Sequence, residues 1–368
     1  MQISVPTESA AREHRVALAP DSAGRLVKSG LEVAVQRGAG LNAGFRDDAY
    51  TAVGARIVPD ARTAFATGQV LVKVQPPSAE EIGLISEGTS VISLMRPGQH
   101  QETAAALAKR KVSALALELV PRITRAQSMD VLSSQSTVAG YKAVLLGAAE
   151  LGKFLPMLTT AAGNISPARV FVIGAGVSGL QAIATARRLG GVVSAFDVRP
   201  AAREQVQSLG ASFVATELVN ASAETAGGYA RAQTSDEQER TLAAIGGHIK
   251  DVDLVITTAQ IPGRRAPTLI TSEMVRTMRA GAVIVDLAVE TGGNCELSKM
   301  GETLQAHEVT IMGPVNLPSS VAFHASQMFG RNILALLQHL VKDGSLVLDP
   351  SDEITGAMLV VHQGTVLK

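Results

Sequence analysis

The chain has 368 residues, of which 46% are hydrophobic and 18% charged, with three Tyr and no Trp. This composition excludes a disordered or collagen-like chain, suits a folded α/β protein, and at this length favours two domains. Lys plus Arg and Asp plus Glu both number 33, so the charge balance gives no sign of a nucleic-acid or anionic-membrane surface.

The first 120 residues alternate short apolar runs with amphipathic stretches. Strands are predicted over residues 3–6, 33–36, 55–58, 70–74, 91–95 and 114–119. Between them, segments such as 21–28 and 102–110 have helical spacing, and this alternation predicts a parallel sheet with crossover helices. Pro121 breaks the last strand, and residues 127–151 are predicted to form one long helix that connects two domains.

A second series of strands and helices begins at Arg169. Strands are predicted over residues 170–173, 192–198, 254–259 and 282–288, and helices over 178–189, 201–209 and 272–278. Residues 216–234 interrupt this rhythm with small, turn-prone side chains and predict a long surface loop, which is often a lid or a contact element. A long apolar helix, roughly 320–341, is predicted to return to the first domain.

These patterns predict an α/β fold with two Rossmann-like parallel-sheet domains, joined by long helices and separated by a cleft. The first domain is predicted over residues 1–130 and completed by 319–368, and the second over 131–318. Charged residues within positions 8–15 argue against a signal peptide, and prolines interrupt the longest charge-free stretch, so we expect no membrane span. The single cysteine, Cys295, excludes an intrachain disulfide and suits a reducing cytosol.

Three glycines, Gly174, Gly176 and Gly179, lie between a predicted strand and the helix that follows it. The first permits a tight turn, the second lets the backbone approach a pyrophosphate, and the third lets helix and strand pack closely. The next strand ends at Asp197, whose carboxylate would accept hydrogen bonds from both hydroxyls of an adenosine ribose and repel a 2′-phosphate. We therefore predict an NAD site. The plainer interpretation of Asp197 is a helix N-cap. Arg199 could instead pair with the 2′-phosphate of NADP(H).

A polar cluster follows the sixth predicted strand and contains Arg122, Gln127, Ser128 and Asp130. A capped, solvated start of a helix would explain Ser128 and Asp130 but not the whole run. The run 121–130, followed by 132–135 and 139–141, resembles the NAD(H)-binding component (domain I, the α subunit) of proton-translocating nicotinamide nucleotide transhydrogenases. Further motifs occur in the same order over nearly the full chain, at residues 15–20, 174–179, 227–229, 257–263 and 286–295.

The resemblance implies a role for each matching residue. The catalytic residues that it implies are Arg122, Gln127, Asp130, Ser133 and Tyr229. The cofactor-binding residues are Arg122, Gln127, Ser128, Met129, Asp130, Gly174, Gly176, Val177, Gly179, Asp197, Val198, Arg199, Gly228 and Gln260, and no metal site is predicted. The run 122–133 would hold the nicotinamide and its ribose, Gln127 would also face NADP(H), and Gly228 and Tyr229 would lie on a loop that closes over NAD(H).

The activity implied by the resemblance is direct hydride transfer between NADH and NADP⁺, with NADP(H) bound on a partner subunit. Such a transfer consumes no proton, so the site needs groups that hold two nicotinamides and exclude water rather than a general base. The resemblance also implies a homodimer, coupling to proton translocation by membrane-spanning subunits, and a cytoplasmic location at the inner face of the membrane through those partners. No nucleic-acid partner is expected.

Two alternatives remain open from the sequence. Alanine dehydrogenase is similar in several motifs, and Arg15 and Lys73 match its carboxylate-binding pair. However, the run Leu94-Met95-Arg96 near the end of the fifth predicted strand contains no histidine, and Glu290 stands in place of an aspartate, so reductive amination lacks an evident acid–base group. His100 is predicted to lie on a surface loop, and Arg15 and Lys73 then become remnants or structural ion pairs. The second alternative is a non-catalytic NAD(H)-binding regulatory subunit.

Overall fold

The computed structural model of the chain describes residues 1–215, 218, 231, 233–261 and 264–368. The described strands are β1 (Gln2–Val5), β2 (Glu32–Gln36), β3 (Arg56–Val58), β4 (Val70–Val72), β5 (Ser90–Ser93), β6 (Ser113–Ala116), β7 (Leu158–Thr160), β8 (Gly163–Ile165), β9 (Arg169–Ile173), β10 (Val192–Phe196), β11 (Ser212–Phe213), β12 (Leu254–Thr257), β13 (Val283–Asp286), β14 (Thr303–Ala306), β15 (Val309–Met312), β16 (Val341–Lys342), β17 (Ser345–Leu346), β18 (Leu359–His362) and β19 (Thr365–Val366). The described α-helices are α1 (Pro20–Lys28), α2 (Asp47–Thr51), α3 (Ala61–Thr67), α4 (Ala79–Leu84), α5 (Gln101–Lys109), α6 (Val131–Glu150), α7 (Val177–Arg188), α8 (Pro200–Ser208), α9 (Ser235–Ile249), α10 (Ser272–Arg276), α11 (Ala322–Leu340) and α12 (Glu353–Met358). The chain divides into two compact units, Met1–Gln135 with Pro318–Lys368, and Ser136–Leu317.

The first unit contains a sheet with the strand order β19-β18-β6-β5-β4-β1-β2-β3. The six strands from β6 to β3 are parallel, and β18 and β19 extend the sheet in antiparallel orientation. Alternate residues of β4 enter different core layers, because Val70 and Val72 pack with α1 and α11 whereas Leu71 packs with α3, α4 and α5. The strand order reverses between β1 and β4, as in a doubly wound sheet with helices on both faces.

The second unit repeats this architecture with the strand order β11-β10-β9-β12-β13-β15-β14, in which only β14 is antiparallel to its neighbour. Val170 and Val172 of β9 pack with α6, α7 and α8, while Phe171 and Ile173 pack with α9 and α10. The order reverses between β9 and β12. In an open parallel sheet, ligands bind outside the carboxyl ends of the strands at such a point.

The predicted α/β class with two parallel-dominated sheets is confirmed, but several predicted elements are wrong in detail. Residues 127–151 do not form one helix, because a 3₁₀ helix at Thr124–Met129 ends at Asp130, which is extended, before α6 begins. The predicted strand 114–119 ends at Ala116 and continues as a 3₁₀ turn, and β14 and β15 are additional to the predicted strands. Within the described part of the chain, no helix combines the length and hydropathy needed to cross a bilayer.

Candidate functional site

The glycine-rich turn joins β9 to α7 at the point where the strand order of the second unit reverses. Gly174 has a φ of 94°, and a Cβ added there would lie 2.7 Å from Thr258 Oγ1. A Cβ on Gly179 would collide with the Gly174 carbonyl oxygen, so both glycines are required by the chain itself. A Cβ on Gly176 would meet no heavy atom of the described residues within 4 Å, its chain neighbours aside. The space in front of Gly176 is therefore open, as a turn that admits a bound group requires.

The amino end of α7 faces this open space through its backbone. Gly176 is the N-cap and supplies no side-chain acceptor to the first turn, and Val177, the first helical residue, is 39% exposed. The backbone N–H groups at such a helix start attract anions, phosphate above all. The turn and the helix start together form a phosphate-binding arrangement.

Asp197 follows β10 and is only 7% exposed. Its Oδ1 accepts from the backbone N–H and Nε of Arg199 at 2.9 and 3.0 Å, and its Oδ2 accepts from Ala175 N and Arg199 Nη2 at 2.7 and 2.8 Å. The N-cap of α8 is Arg199, so the plainer interpretation of Asp197 as a helix cap is wrong. Since a carboxylate has about four acceptor positions, a ligand hydroxyl would bind Asp197 by displacing the guanidinium.

A network of buried polar residues at the ends of β12 and β13 supports the turn, and sequence reasoning missed it. Thr258 Oγ1 donates to the Gly174 carbonyl at 2.9 Å. Asn294 is fully buried and bonds both backbone groups of Ala259, accepting from its N–H at 3.0 Å and donating to its carbonyl at 2.9 Å. Asp286, also fully buried, accepts from the backbone N–H of Asn294 at 2.8 Å. The network thus fixes the backbone immediately before Gln260.

The remaining predicted residues of the second unit have varied surroundings. Gln260 is exposed and donates through Nε2 to the Leu287 carbonyl at 3.1 Å, and Val198 is half-buried. Gly228 and Tyr229 lie outside the described residues. Cys295 is 2% exposed and burial raises the pKa of its thiol to about 11, so the residue is not a reactive thiolate at neutral pH.

The predicted catalytic run belongs to the first unit and surrounds the 3₁₀ helix Thr124–Met129. Arg122, Gln127 and Ser128 are exposed at its surface. The Met129 side chain instead lies in the hydrophobic core and leaves only its backbone for a ligand. The run therefore presents a guanidinium, an amide and a hydroxyl to its surroundings.

Asp130 caps the start of α6. Its Oδ1 accepts from the Ser133 backbone N–H at 2.9 Å, and its Oδ2 accepts from Ser133 Oγ at 2.6 Å. This is the usual geometry of an aspartate N-cap, and it explains why the chain breaks between the two helices. The capped start of a helix proposed from the sequence is thus present at Asp130. The exposed Arg122 and Gln127 lie outside that explanation.

Arg15 and Lys73, the alternative carboxylate-binding pair, are buried in internal ion pairs. Arg15 Nη2 lies 2.6 Å from Glu13 Oε2, and Lys73 Nζ lies 2.9 Å from Glu81 Oε1 and 3.6 Å from Glu8 Oε2. Both cations are thereby neutralised by the chain, as expected for structural ion pairs. The segment 94–96, the place expected for the histidine of an alanine dehydrogenase, contains no histidine, and its Met95 is buried.

His100, the histidine that follows Met95 most closely, is partly buried and serves as the N-cap residue of α5. It makes no side-chain cap hydrogen bond to that helix. Among the described residues, no group of three or more His, Cys, Asp or Glu side chains is arranged to hold a metal ion.

We predict that the Glu13–Arg15 pair makes the protein sensitive to acid. Burial opposes ionisation of Glu13, but the hydrogen bonds and charge of Arg15 outweigh it and lower the pKa of Glu13 to about 2 from an ordinary 4.5. A lowered pKa stabilises the fold above pH 4.5 and loses that contribution as the pH falls towards 2, by up to about 3 kcal/mol. Urea unfolding at several pH values measures this loss.

Glu13→Gln is the control for this prediction. Burial raises the pKa of Glu8, so Glu8 favours the fold as the pH falls and partly masks the effect of Glu13 in the wild-type protein. The charge of Glu13 itself helps to raise the pKa of Glu8, so the two proteins are compared in a Glu8→Gln background, where this coupling is absent. A difference that is constant from pH 5 down to the acid transition would contradict the prediction.

Comparison with known proteins assigns the chain to a family. The alanine dehydrogenase/PNT N-terminal domain matches residues 4–139, and the alanine dehydrogenase/PNT C-terminal domain matches residues 143–368. The first part of NAD(P) transhydrogenase subunit alpha from Rhodospirillum rubrum is 46% identical over 375 residues, which cover 100% of this chain and 98% of that protein. The crystal structure of transhydrogenase from Sinorhizobium meliloti is 44% identical, with a TM-score of 0.91 and complete coverage of both chains.

A second set of relatives consists of alanine dehydrogenases. An alanine dehydrogenase from Halomonas elongata is 30% identical over 373 residues, which cover 99% of this chain and 94% of that enzyme. The resemblance to transhydrogenase subunits extends over the same length at higher identity. The chain belongs to the alanine dehydrogenase/PNT family.

Proposed function

We propose that the chain is the NAD(H)-binding subunit of a proton-translocating transhydrogenase. The observation that carries the proposal is the turn at Gly176, where the chain leaves open space in front of an uncapped helix start. A pyrophosphate fits this arrangement, because backbone N–H groups would bind it without a cationic side chain. The buried carboxylate of Asp197 lies one strand away, in the position that binds an adenosine ribose in Rossmann domains.

Asp197 and Arg199 make the site selective for NAD(H). The ribose hydroxyls of NAD(H) can replace the two guanidinium bonds of Asp197, since each hydroxyl offers one donor. A 2′-phosphate offers no donor at neutral pH and would be repelled by the carboxylate. Asp197 keeps its bond from Ala175 N throughout, so it couples the ribose position to the turn.

Besides binding the cofactor, the site must orient its nicotinamide, and the exposed side chains of Arg122 and Gln127 suit this task. Bound NADH supplies the hydride, and no residue of the chain has to give or take a proton. A guanidinium and an amide can hold a carboxamide through directional hydrogen bonds, which fixes the ring plane. Asp130 and Ser133 support this role by setting where α6 begins and hence where the run ends.

The proposal extends to the assembly. NADP(H) binds on a partner subunit that docks against the site, and membrane-spanning subunits couple hydride transfer to proton movement. The chain acts as a homodimer at the cytoplasmic face of the membrane through those partners. Relatives named as an alpha subunit, or as the first part of an alpha subunit, support a division of the activity among subunits.

Alanine dehydrogenase remains the second candidate because the family includes it and the relative from Halomonas elongata covers the whole fold. Two observations weigh against it: both candidate carboxylate-binding cations are engaged by internal glutamates, and the segment 94–96 contains no histidine to act as the acid–base group. A regulatory subunit is the third candidate. It would need the phosphate-binding turn and Asp197 but not the exposed Arg122 and Gln127.

The test is hydride transfer from NADPH to an NAD⁺ analogue, with the purified chain in the presence and absence of an NADP(H)-binding transhydrogenase domain. We expect negligible transfer with either protein alone and a steep rise when they are combined. The NADP(H)-binding domain must first be shown to be active with its own NAD(H)-binding subunit. If this chain then binds NADH but no transfer occurs, the result would contradict the proposal and favour a regulatory role. Oxidation of NADH with pyruvate and ammonia would favour alanine dehydrogenase.

A further inference from the structure

A buried asparagine on α11 holds the backbone of the predicted catalytic run. Asn332 is 8% exposed, and its Nδ2 donates to the carbonyl oxygen of Ser128 at 2.7 Å. Ser128 directly follows Gln127, and its carbonyl belongs to the peptide that leads into Met129. A bond to this carbonyl therefore fixes the plane of the Ser128–Met129 peptide, one residue after Gln127.

The oxygen of the Asn332 amide differs from its nitrogen in its surroundings. This oxygen, Oδ1, is buried and has no hydrogen-bond partner among the residues that the structure describes. The amide cannot be turned around, because Oδ1 would then face the Ser128 carbonyl, which is also an acceptor. A buried acceptor without a donor destabilises a fold, so a leucine of similar volume would suit the apolar face of α11 better. Fold stability does not account for an asparagine here.

The same 3₁₀ helix is held at two other places. Ala126 and Met129 are buried in the hydrophobic core that α11 lines. Arg125 Nη2 lies 3.2 Å from Glu353 Oε2, and Arg125 Nη1 lies 3.5 Å from Asp352 Oδ2, at the start of α12. Those contacts anchor the side chains of the helix, whereas Asn332 alone of these residues bonds to its backbone.

We propose that Asn332 is a positioning residue for hydride transfer, which acts by fixing the Ser128 carbonyl and thereby the direction of Gln127. The inference rests on the proposed function, because Gln127 has a catalytic role only there. Asn332 itself touches neither nicotinamide. A small change in the direction of Gln127 is costly, since hydride transfer demands closely set distances between donor and acceptor carbons.

Asn332→Leu tests the proposal by removing the donor while keeping the volume. We expect hydride transfer with the NADP(H)-binding domain to slow about ten- to a hundredfold, with the Kd for NADH and the melting temperature nearly unchanged. Amide hydrogen exchange in residues 124–130 should quicken relative to the rest of the first unit. Gln338→Leu, which also replaces a side-chain amide by leucine but at an exposed position of α11, is the control and should behave as the wild-type protein.

Asn332→Asp adds a measurement that a merely structural role would not affect. An ionised aspartate would repel the Ser128 carbonyl, whereas a protonated one would donate to it as asparagine does. Burial raises the pKa of such an aspartate, so the transfer rate relative to the wild-type protein should rise as the pH falls from 8 to 5. The native groups on the packed elements are shared by both proteins and cancel in this ratio; they are Asp21, Arg25, Lys28, Arg122, Arg125, Asp130, His324, Arg331, His339, Lys342, Asp352 and Glu353.

The outcomes separate this inference from the proposed function. A wild-type protein that transfers no hydride overturns the proposed function, and the inference falls with it. When the wild-type protein is active, an Asn332→Leu variant with unchanged rate and unchanged exchange in residues 124–130 overturns the inference alone. So does a variant whose NADH affinity and melting temperature fall together with the rate, or an aspartate variant whose relative rate is independent of pH.

Discussion

Gly176→Val is expected to abolish NADH binding while the free energy of unfolding changes by no more than about 1 kcal/mol. Gly176 has φ −76° and ψ −168°, which any residue can adopt, and within the described ranges an added Cβ would meet no atom within 4 Å beyond its chain neighbours. The valine side chain would instead fill the space that the pyrophosphate needs, so the Kd should rise by at least about a hundredfold. Calorimetric titration with NADH and urea unfolding measure the two quantities.

Gly179→Ala is the matched contrast in the same turn. A methyl group there collides with the Gly174 carbonyl oxygen and lies 3.2 Å from Thr258 Oγ1, so α7 has to move away from β9. We expect this variant to lose about 2 kcal/mol of stability or more, which is typical of an overpacked core. Gly176→Val with unchanged NADH affinity would show that the space at Gly176 is not the phosphate site.

The turn can be predicted from the sequence because its requirements are local. Gly174 has a positive φ, Gly179 must clear the carbonyl oxygen of Gly174, and the order of apolar residues shows where β9 ends. The hairpin β14–β15 has no such signal. Its two turn residues, His307 and Glu308, have φ values of 52° and 62°, where asparagine and glycine are usual. By contrast, Asp343 and Gly344, which turn the chain between β16 and β17, are residues usual for such a turn.

The supporting residues of the site cannot be predicted, because their partners are distant in sequence. Asn294 bonds to Ala259, which is 35 positions away, and Asn332 bonds to Ser128 across 204 positions. Neither pair shows a periodic or spaced pattern in the sequence. Asp130 differs, since an aspartate three residues before Ser133 is a recognisable cap. A cap there is incompatible with one helix over residues 127–151, and apolar spacing alone does not reveal a break of a single residue.

Arg122→Ala is expected to slow hydride transfer by about a hundredfold, while the Kd for NADH rises by less than about tenfold. Arg122 is exposed at the surface of the first unit, so its loss creates no cavity and should leave stability unchanged. On the proposed function, the turn and Asp197 supply most of the binding energy of NADH, and the substitution alters neither. Single-turnover transfer with the NADP(H)-binding domain gives the rate, and calorimetry gives the Kd.

Two further variants decide why Arg122 matters. Arg122→Lys keeps the charge but lacks the planar pair of donors, so a rate close to that of Arg122→Ala would show that the guanidinium orients the carboxamide rather than merely attracting the cofactor. Arg62→Ala, at an exposed position of α3, controls for the loss of a surface charge. Equal losses of rate and affinity in Arg122→Ala would instead assign Arg122 to cofactor binding alone. In that case the chain would be shown to bind NADH, through the turn, Asp197 and Arg122, but not to take part in the transfer. The regulatory alternative would then regain its force, because only an effect confined to the transfer step requires the chain to take part in the chemistry.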